Sequence, residues 1–298
     1  MRAASTLSPR HLLLAVAVVA IWGTNFVVIK LALAHIPPLL FAALRFALAA
    51  FPAVLFLPRP AVRWRNLAAY GVLLGVGQFG LLYLAVDGRI SPGLASLVVQ
   101  TQVFFTIGLA MRIDGESLKP FQYLALALAV SGIAIIALHT DRATSPLGIV
   151  LVLGAALGWA GANTVGRRVS GVNMLAYVVW SALFAVPPLL VLSFAIEGGP
   201  AMWHGVRDAD LGAWAAVLWQ SVANTLFGFA VWTWLLARYP AAAVTPTALL
   251  VPVFGLGASA WMLGEPLPAW KIAAVLLVLG GLALNLWWPR WRRPLAGR

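Results

Sequence analysis

Ten runs of mainly apolar residues alternate with short polar connections. They cover residues 11–34, 38–57, 66–86, 91–111, 119–138, 146–166, 173–196, 211–237, 242–262 and 268–288. A hydrocarbon core ~30 Å thick takes about 20 apolar residues to cross as a helix. A helix satisfies its own backbone N–H and C=O groups, which lipid cannot do. The pattern therefore predicts an all-α integral membrane protein of ten transmembrane helices. Most connections are too short for anything but antiparallel neighbours, and no stretch is left for a soluble domain.

The polar positions inside the runs are unevenly shared. The first has Thr24 and Asn25, the third Gln78, and the fourth Gln100, Thr101 and Gln102. The sixth has Asn163 and Thr164, the eighth Gln220, Asn224 and Thr225, and the ninth Thr245 and Thr247 around Pro246. Runs 2, 5, 7 and 10 have no central amide. Polar groups in hydrocarbon are costly and face a cavity or another helix. The set predicts a central cavity lined by helices 1, 3, 4, 6, 8 and 9 and braced by the other four. Any single amide is explained as well by an interhelical hydrogen bond of about 0.6 kcal/mol. Trp22 and Trp159 share helices with these amides and could face a bound molecule or pack in the core.

A second pattern is a repeat. Phe79-Gly80, then Pro92, Gly115-Glu116-Ser117-Leu118 and Gly132 return in order as Phe227-Gly228, Pro240, Gly264-Glu265-Pro266-Leu267 and Gly281. Five runs per copy is an odd number, so the second copy enters the membrane from the opposite side. The expectation is two inverted five-helix repeats, residues 11–138 and 146–288, a construction used by secondary transporters with a binding site at the repeat interface. The stretches from Gly80 to Pro92 and from Gly228 to Pro240 join cavity helices and are candidate gating bends. Glu116 and Glu265 fall in loops on opposite faces, where they are expected to shape their own turns.

Composition supports the membrane reading. The chain is 62% hydrophobic and 9% charged, with a mean hydropathy of +0.95, against roughly 25% charged residues in soluble domains. Its net charge of +12 does not signal nucleic acid, because the cations sort by side. With the N-terminus inside, fourteen fall on the cytoplasmic side, among them Arg59, Arg63, Arg65, Arg167 and Arg168. Five, Lys30, Arg89, Arg142, Arg207 and Lys271, fall outside. The positive-inside rule then places both termini in the cytoplasm, and the basic face suits anionic lipid.

The remaining cation, Arg45, lies about 10 Å into the second run at 1.5 Å per residue. Because that run has no amide, bonding to carbonyls or the lipid interface is favoured over a cargo carboxylate. There is no cysteine, and no Asp, Glu or His lies in the interior of any run, His11 falling at the boundary of the first. Metal, nucleophile and phosphate-binding motifs are missing, so the expectation is a protein that is not an enzyme and has no cofactor. A cavity without a carboxylate favours neutral or zwitterionic cargo.

Several stretches carry a family resemblance. Trp22-Gly23-Thr24-Asn25-Phe26, Leu44-Arg45-Phe46, Ser91-Pro92-Gly93-Leu94-Ala95 and the two Gly-Glu-x-Leu loops resemble the EamA family of the drug/metabolite transporter superfamily. The likeness covers essentially residues 10–290. Residues 159–163, 180–183 and 249–253 sharpen it toward bacterial exporters of O-acetylserine and cysteine, with aromatic amino-acid exporters more distant. The resemblance implies an inner-membrane exporter of neutral amino acids and related metabolites, with a small-molecule substrate in a cavity lined by helices 1, 3, 4, 6, 8 and 9. On this reading Thr24, Asn25, Gln78, Gln100, Gln102, Asn163 and Asn224 hold the substrate, and Trp22 or Trp159 faces its side chain. A lipid, drug or nucleotide-sugar carrier on the same scaffold is the alternative. Exact substrate, energy coupling and oligomeric state are not legible in the residues.

Overall fold

The computed structural model of the chain describes residues 7–114, 120–139, 144–169, 171–239 and 244–291. Among these the fold is all helical. Eight helices are long and apolar enough to cross a membrane: α1 (Pro9–Ala32), α2 (Pro38–Phe56), α3 (Trp64–Val86), α4 (Pro92–Ile113), α5 (Pro120–Leu138), α6 (Pro146–Gly166), α7 (Met174–Ile196) and α8 (Leu211–Trp232). Two shorter apolar helices follow, α9 (Thr247–Leu263) and α10 (Ala269–Asn285). The chain is a multi-pass membrane protein. Leu55, Leu138, Leu211 and Trp261 project outward, as expected of helices whose outer solvent is lipid. The first Gly-Glu-x-Leu loop and Pro240 lie outside the described residues.

Helix starts follow local chemistry. Ser8-Pro9, Ser91-Pro92 and Ser145-Pro146 open α1, α4 and α6, and each serine hydroxyl accepts a backbone N–H of the first turn. Serine supplies the missing acceptor, and proline at the first helical position has no N–H to leave unpaired. Asn173 and Asp210 cap α7 and α8 in the same way.

Two helices depart from regular α geometry over matching stretches. Leu73–Gly80 in α3 and Trp219–Phe227 in α8 are π-helical, so each turn is widened by a residue. The first ends at the glycine of a Phe-Gly pair, and the second at the phenylalanine of one, with Gly228 as its C-cap. In α8 the carbonyls of the wide turn are satisfied from side chains: Thr225 donates to Gln220 O at 2.8 Å, and the Trp22 indole donates to Asn224 O at 3.1 Å. Short 3-10 turns, Val99–Thr101 in α4 and Thr245–Leu249 at the start of α9, also occupy corresponding places.

Helix neighbours recur in pairs. α3 packs on α6 and α7, as α8 packs on α1 and α2; α4 packs on α6, as α9 packs on α1. α5 packs on α10 through the repeated glycines, where a Cβ on Gly132 would lie 2.9 Å from Ala274 O and one on Gly281 2.5 Å from Ala125 O. At the α3–α6 crossing, Gly77 and Gly158 bring backbones together, leaving 2.5 Å between a Cβ on Gly158 and Gly77 C. Gln78 and Trp159, the residues after these glycines, line one cavity.

Candidate functional site

A central cavity of about 610 Å³ of space free of protein atoms, open solvent included, lies between the helices. It is lined by Trp22, Asn25 and Phe26 of α1, Arg45 of α2, Gln78, Phe79 and Leu82 of α3, and Val99 and Gln100 of α4. Trp159 of α6, Asn224 and Phe229 on the α8 side and Val251 of α9 complete it. The wall is thus aromatic and apolar, interrupted by four amides and one guanidinium, the composition expected of a small-molecule site.

Of the sequence-derived candidates, Asn25, Gln78, Gln100, Trp159 and Asn224 come together here. The other three lie elsewhere. Asn163 Nδ2 donates to Gln102 Oε1 at 3.0 Å, tying α6 to α4. The Thr24 hydroxyl donates back to Ala20 O at 2.7 Å within its own helix. Gly80 and Gly228 close the two π segments. Gly228 also admits an indole, since a Cβ there would lie 2.5 Å from Trp22 Nε1. Trp22 is further packed against Trp232 and Phe229, with ring centroids 5.2 and 5.7 Å away.

Arg45 departs from the sequence expectation. It bonds neither to carbonyls nor at the lipid interface but is 1% exposed and faces the cavity. Nη1 donates to Tyr83 Oη at 2.9 Å and Nη2 to Thr225 Oγ1 at 3.0 Å. Its guanidinium carbon stands 3.6 Å from the centroid of the Phe79 ring. Nε has no partner, and no carboxylate among the described residues pairs with it. The buried amide oxygens Asn25 Oδ1 and Gln78 Oε1 are also without partners. The apolar lining residues had a readable signal: Phe26 follows Trp22 by four positions, and Leu82 follows Gln78 by four, on the same helix faces.

Glu265 also exceeds its expected role. Instead of serving only its own turn, it accepts from the Ser91 hydroxyl and from Gly93 N at 3.2 Å, at the start of α4. Lys271 Nζ pairs with it at 2.7 Å, and the side chains are 5% and 9% exposed for Lys271 and Glu265. Glu197 likewise accepts from Leu39 N at 2.6 Å and Leu40 N at 3.2 Å, at the start of α2. Both carboxylates come from the second half of the chain and sit on the positive ends of first-half helices, where a negative charge is stabilised.

The sequence profile of the EamA-like transporter family matches residues 10–138 and again 146–287. The chain belongs to the EamA-like transporter family. Its relatives include proteins named "Probable amino-acid metabolite efflux pump" from Salmonella typhimurium and Escherichia coli. They are 38% and 36% identical, each over 94% of this chain and 96% of the relative. A protein of known crystal structure shares the fold with a TM-score of 0.64, at 16% identity, over 96% of this chain and all of that one. Membership accounts for the two-part match of this EamA-like transporter, and its relatives are named as efflux pumps rather than enzymes.

Proposed function

We propose that the protein is an inner-membrane exporter of neutral amino acids and related metabolites. Two inverted five-helix halves, residues 11–138 and 146–288, close in turn over one central site, with both termini in the cytoplasm. Asn25, Gln78, Gln100 and Asn224 hold the polar part of the cargo, and Trp22 and Trp159 border its side chain. Gly80 and Gly228, at the ends of the π segments, and Pro92 and Pro240 serve the gating bends. Gln102, Asn163 and Thr24 act from outside the cavity by holding helices in place.

The observation that carries this reading is the central cavity, with amides from both halves set in an aromatic wall. The exchanged helix contacts and matched π segments support a two-fold relation in the membrane plane, the symmetry of alternating-access carriers. The names of the efflux-pump relatives support the cargo class.

Counterflow in proteoliposomes tests it. Vesicles loaded with unlabelled L-serine, L-cysteine or L-phenylalanine are expected to accumulate the labelled amino acid transiently and saturably. Putrescine and choline are expected to give no such overshoot. A preference for those amines, or flux that never saturates, would overturn the proposal in favour of another cargo class or a channel.

A further inference from the structure

We infer that Arg45 is the receptor for the carboxylate of the cargo and that Asn25 and Gln78 receive its ammonium, so that the cavity recognises an α-amino-acid zwitterion. The inference rests on the exporter reading above and specifies the chemistry at that site.

An ionised side chain buried without a counter-charge carries a large desolvation cost, and a guanidinium stays protonated in proteins. The partners of Arg45, the Tyr83 and Thr225 hydroxyls, are dipoles and leave its charge whole. A helix-bridging role alone would be filled at lower cost by a neutral amide. The guanidinium instead lines the cavity with Nε unbonded, against the Phe79 face. A planar fork of donors held on an aromatic ring is well suited to a carboxylate.

The same cavity contains the complementary half of a zwitterion's requirements. Asn25 Oδ1 and Gln78 Oε1 are buried acceptors that bond to nothing. Such groups are costly when left unmade, and an ammonium offers three donors. Gln78 precedes Phe79, the ring beneath Arg45, and Asn25, Arg45 and Gln78 all line the one cavity. Their convergence there fits two charges borne on one carbon. Trp22 and Trp159, which line the same cavity, border the side chain.

The test is competition in the counterflow assay. Labelled L-serine, L-cysteine and L-phenylalanine are each challenged with the free amino acid, its primary amide and its N-acetyl derivative. In the parent protein, the amide and the N-acetyl derivative are both expected to compete about tenfold to a hundredfold more weakly than the free amino acid, the value of a charge-assisted hydrogen bond. In Arg45→Gln the free amino acid should weaken by the same factor, so that acid and amide compete equally, while the N-acetyl penalty remains. Arg45→Lys, which keeps the charge and loses the fork, should recover part of the difference. The parent measurements decide even if Arg45→Gln fails to fold. Equal competition by acid and amide in the parent overturns the assignment of Arg45 while leaving amino-acid export standing. Absence of counterflow with any of the three amino acids overturns both.

Discussion

Gly158→Leu is expected to yield almost no folded protein, and Gly158→Ala to melt well below the parent. A Cβ at this position meets Gly77 C at 2.5 Å, Gly77 O at 2.7 Å and Gln78 N at 2.9 Å, all backbone atoms. No rotamer change relieves such a clash; α3 and α6 must separate. Overpacking a close-packed interior costs about 1–3 kcal/mol when neighbours can adjust, and here the neighbour is a helix backbone. Gly108→Ala is the matched control, because a Cβ there meets nothing within 4 Å. The measurement is the fraction of protein remaining monodisperse in detergent after heating. Equal melting of the two alanine variants would show that α3 and α6 do not cross as described. Gln78 and Trp159 follow the two crossing glycines and line the cavity, so a surviving Gly158→Ala protein should bind cargo less tightly.

Loss of the Glu265 carboxylate is the second large effect. Glu265→Ala leaves Lys271 charged and 5% exposed, with the Pro266 carbonyl at 2.9 Å as its remaining partner. Breaking a buried pair from one side typically costs about 3–5 kcal/mol, while replacing both partners costs much less. The double variant Glu265→Ala/Lys271→Met is therefore expected to regain much of the lost thermal stability. The variant should also loosen the start of α4, where Glu265 holds Ser91 and Gly93. The absence of cysteine makes this readable. A Cys introduced for Ile90, a residue 2% exposed, should react faster with a water-soluble maleimide in the Glu265→Ala background. Unchanged labelling, together with no rescue by Lys271→Met, would reduce Glu265 to a turn residue.

Much of this architecture is legible in the residues because membrane helices obey a severe local rule. About 20 apolar residues between Ser-Pro caps or basic loops have few other solutions, so helix positions could be read directly. The cavity was legible in part. Gln100 and Gln102 are two residues apart and point to nearly opposite sides of a helix, so only one of them reaches the cavity while the other meets Asn163. Counting amides without assigning them faces hid that distinction. The same count set Arg45 aside because its helix had no amide, although a lone charge in a membrane span is itself a functional signal. The reach of Glu265 to Gly93 spans more than half the chain, and no local pattern encodes it. Nor do single residues announce a π turn, which in α3 coincides with the glycine crossing at Gly77 and Gly158.

The bare guanidinium also has a consequence for the energy stored across a membrane. On the alternating-access reading proposed above, a passage open in turn to each side would risk leaking protons and sodium ions. A fixed positive charge beside that passage makes it a poor road for small cations. At about 8 Å and an effective dielectric near 20, two like charges repel by about 2 kcal/mol, roughly a thirtyfold drop in occupancy. The barrier falls when an anionic group sits on Arg45. On the exporter reading proposed above, the empty carrier would admit small cations about thirtyfold less readily whichever way it faced, and export would not short-circuit the membrane that houses it.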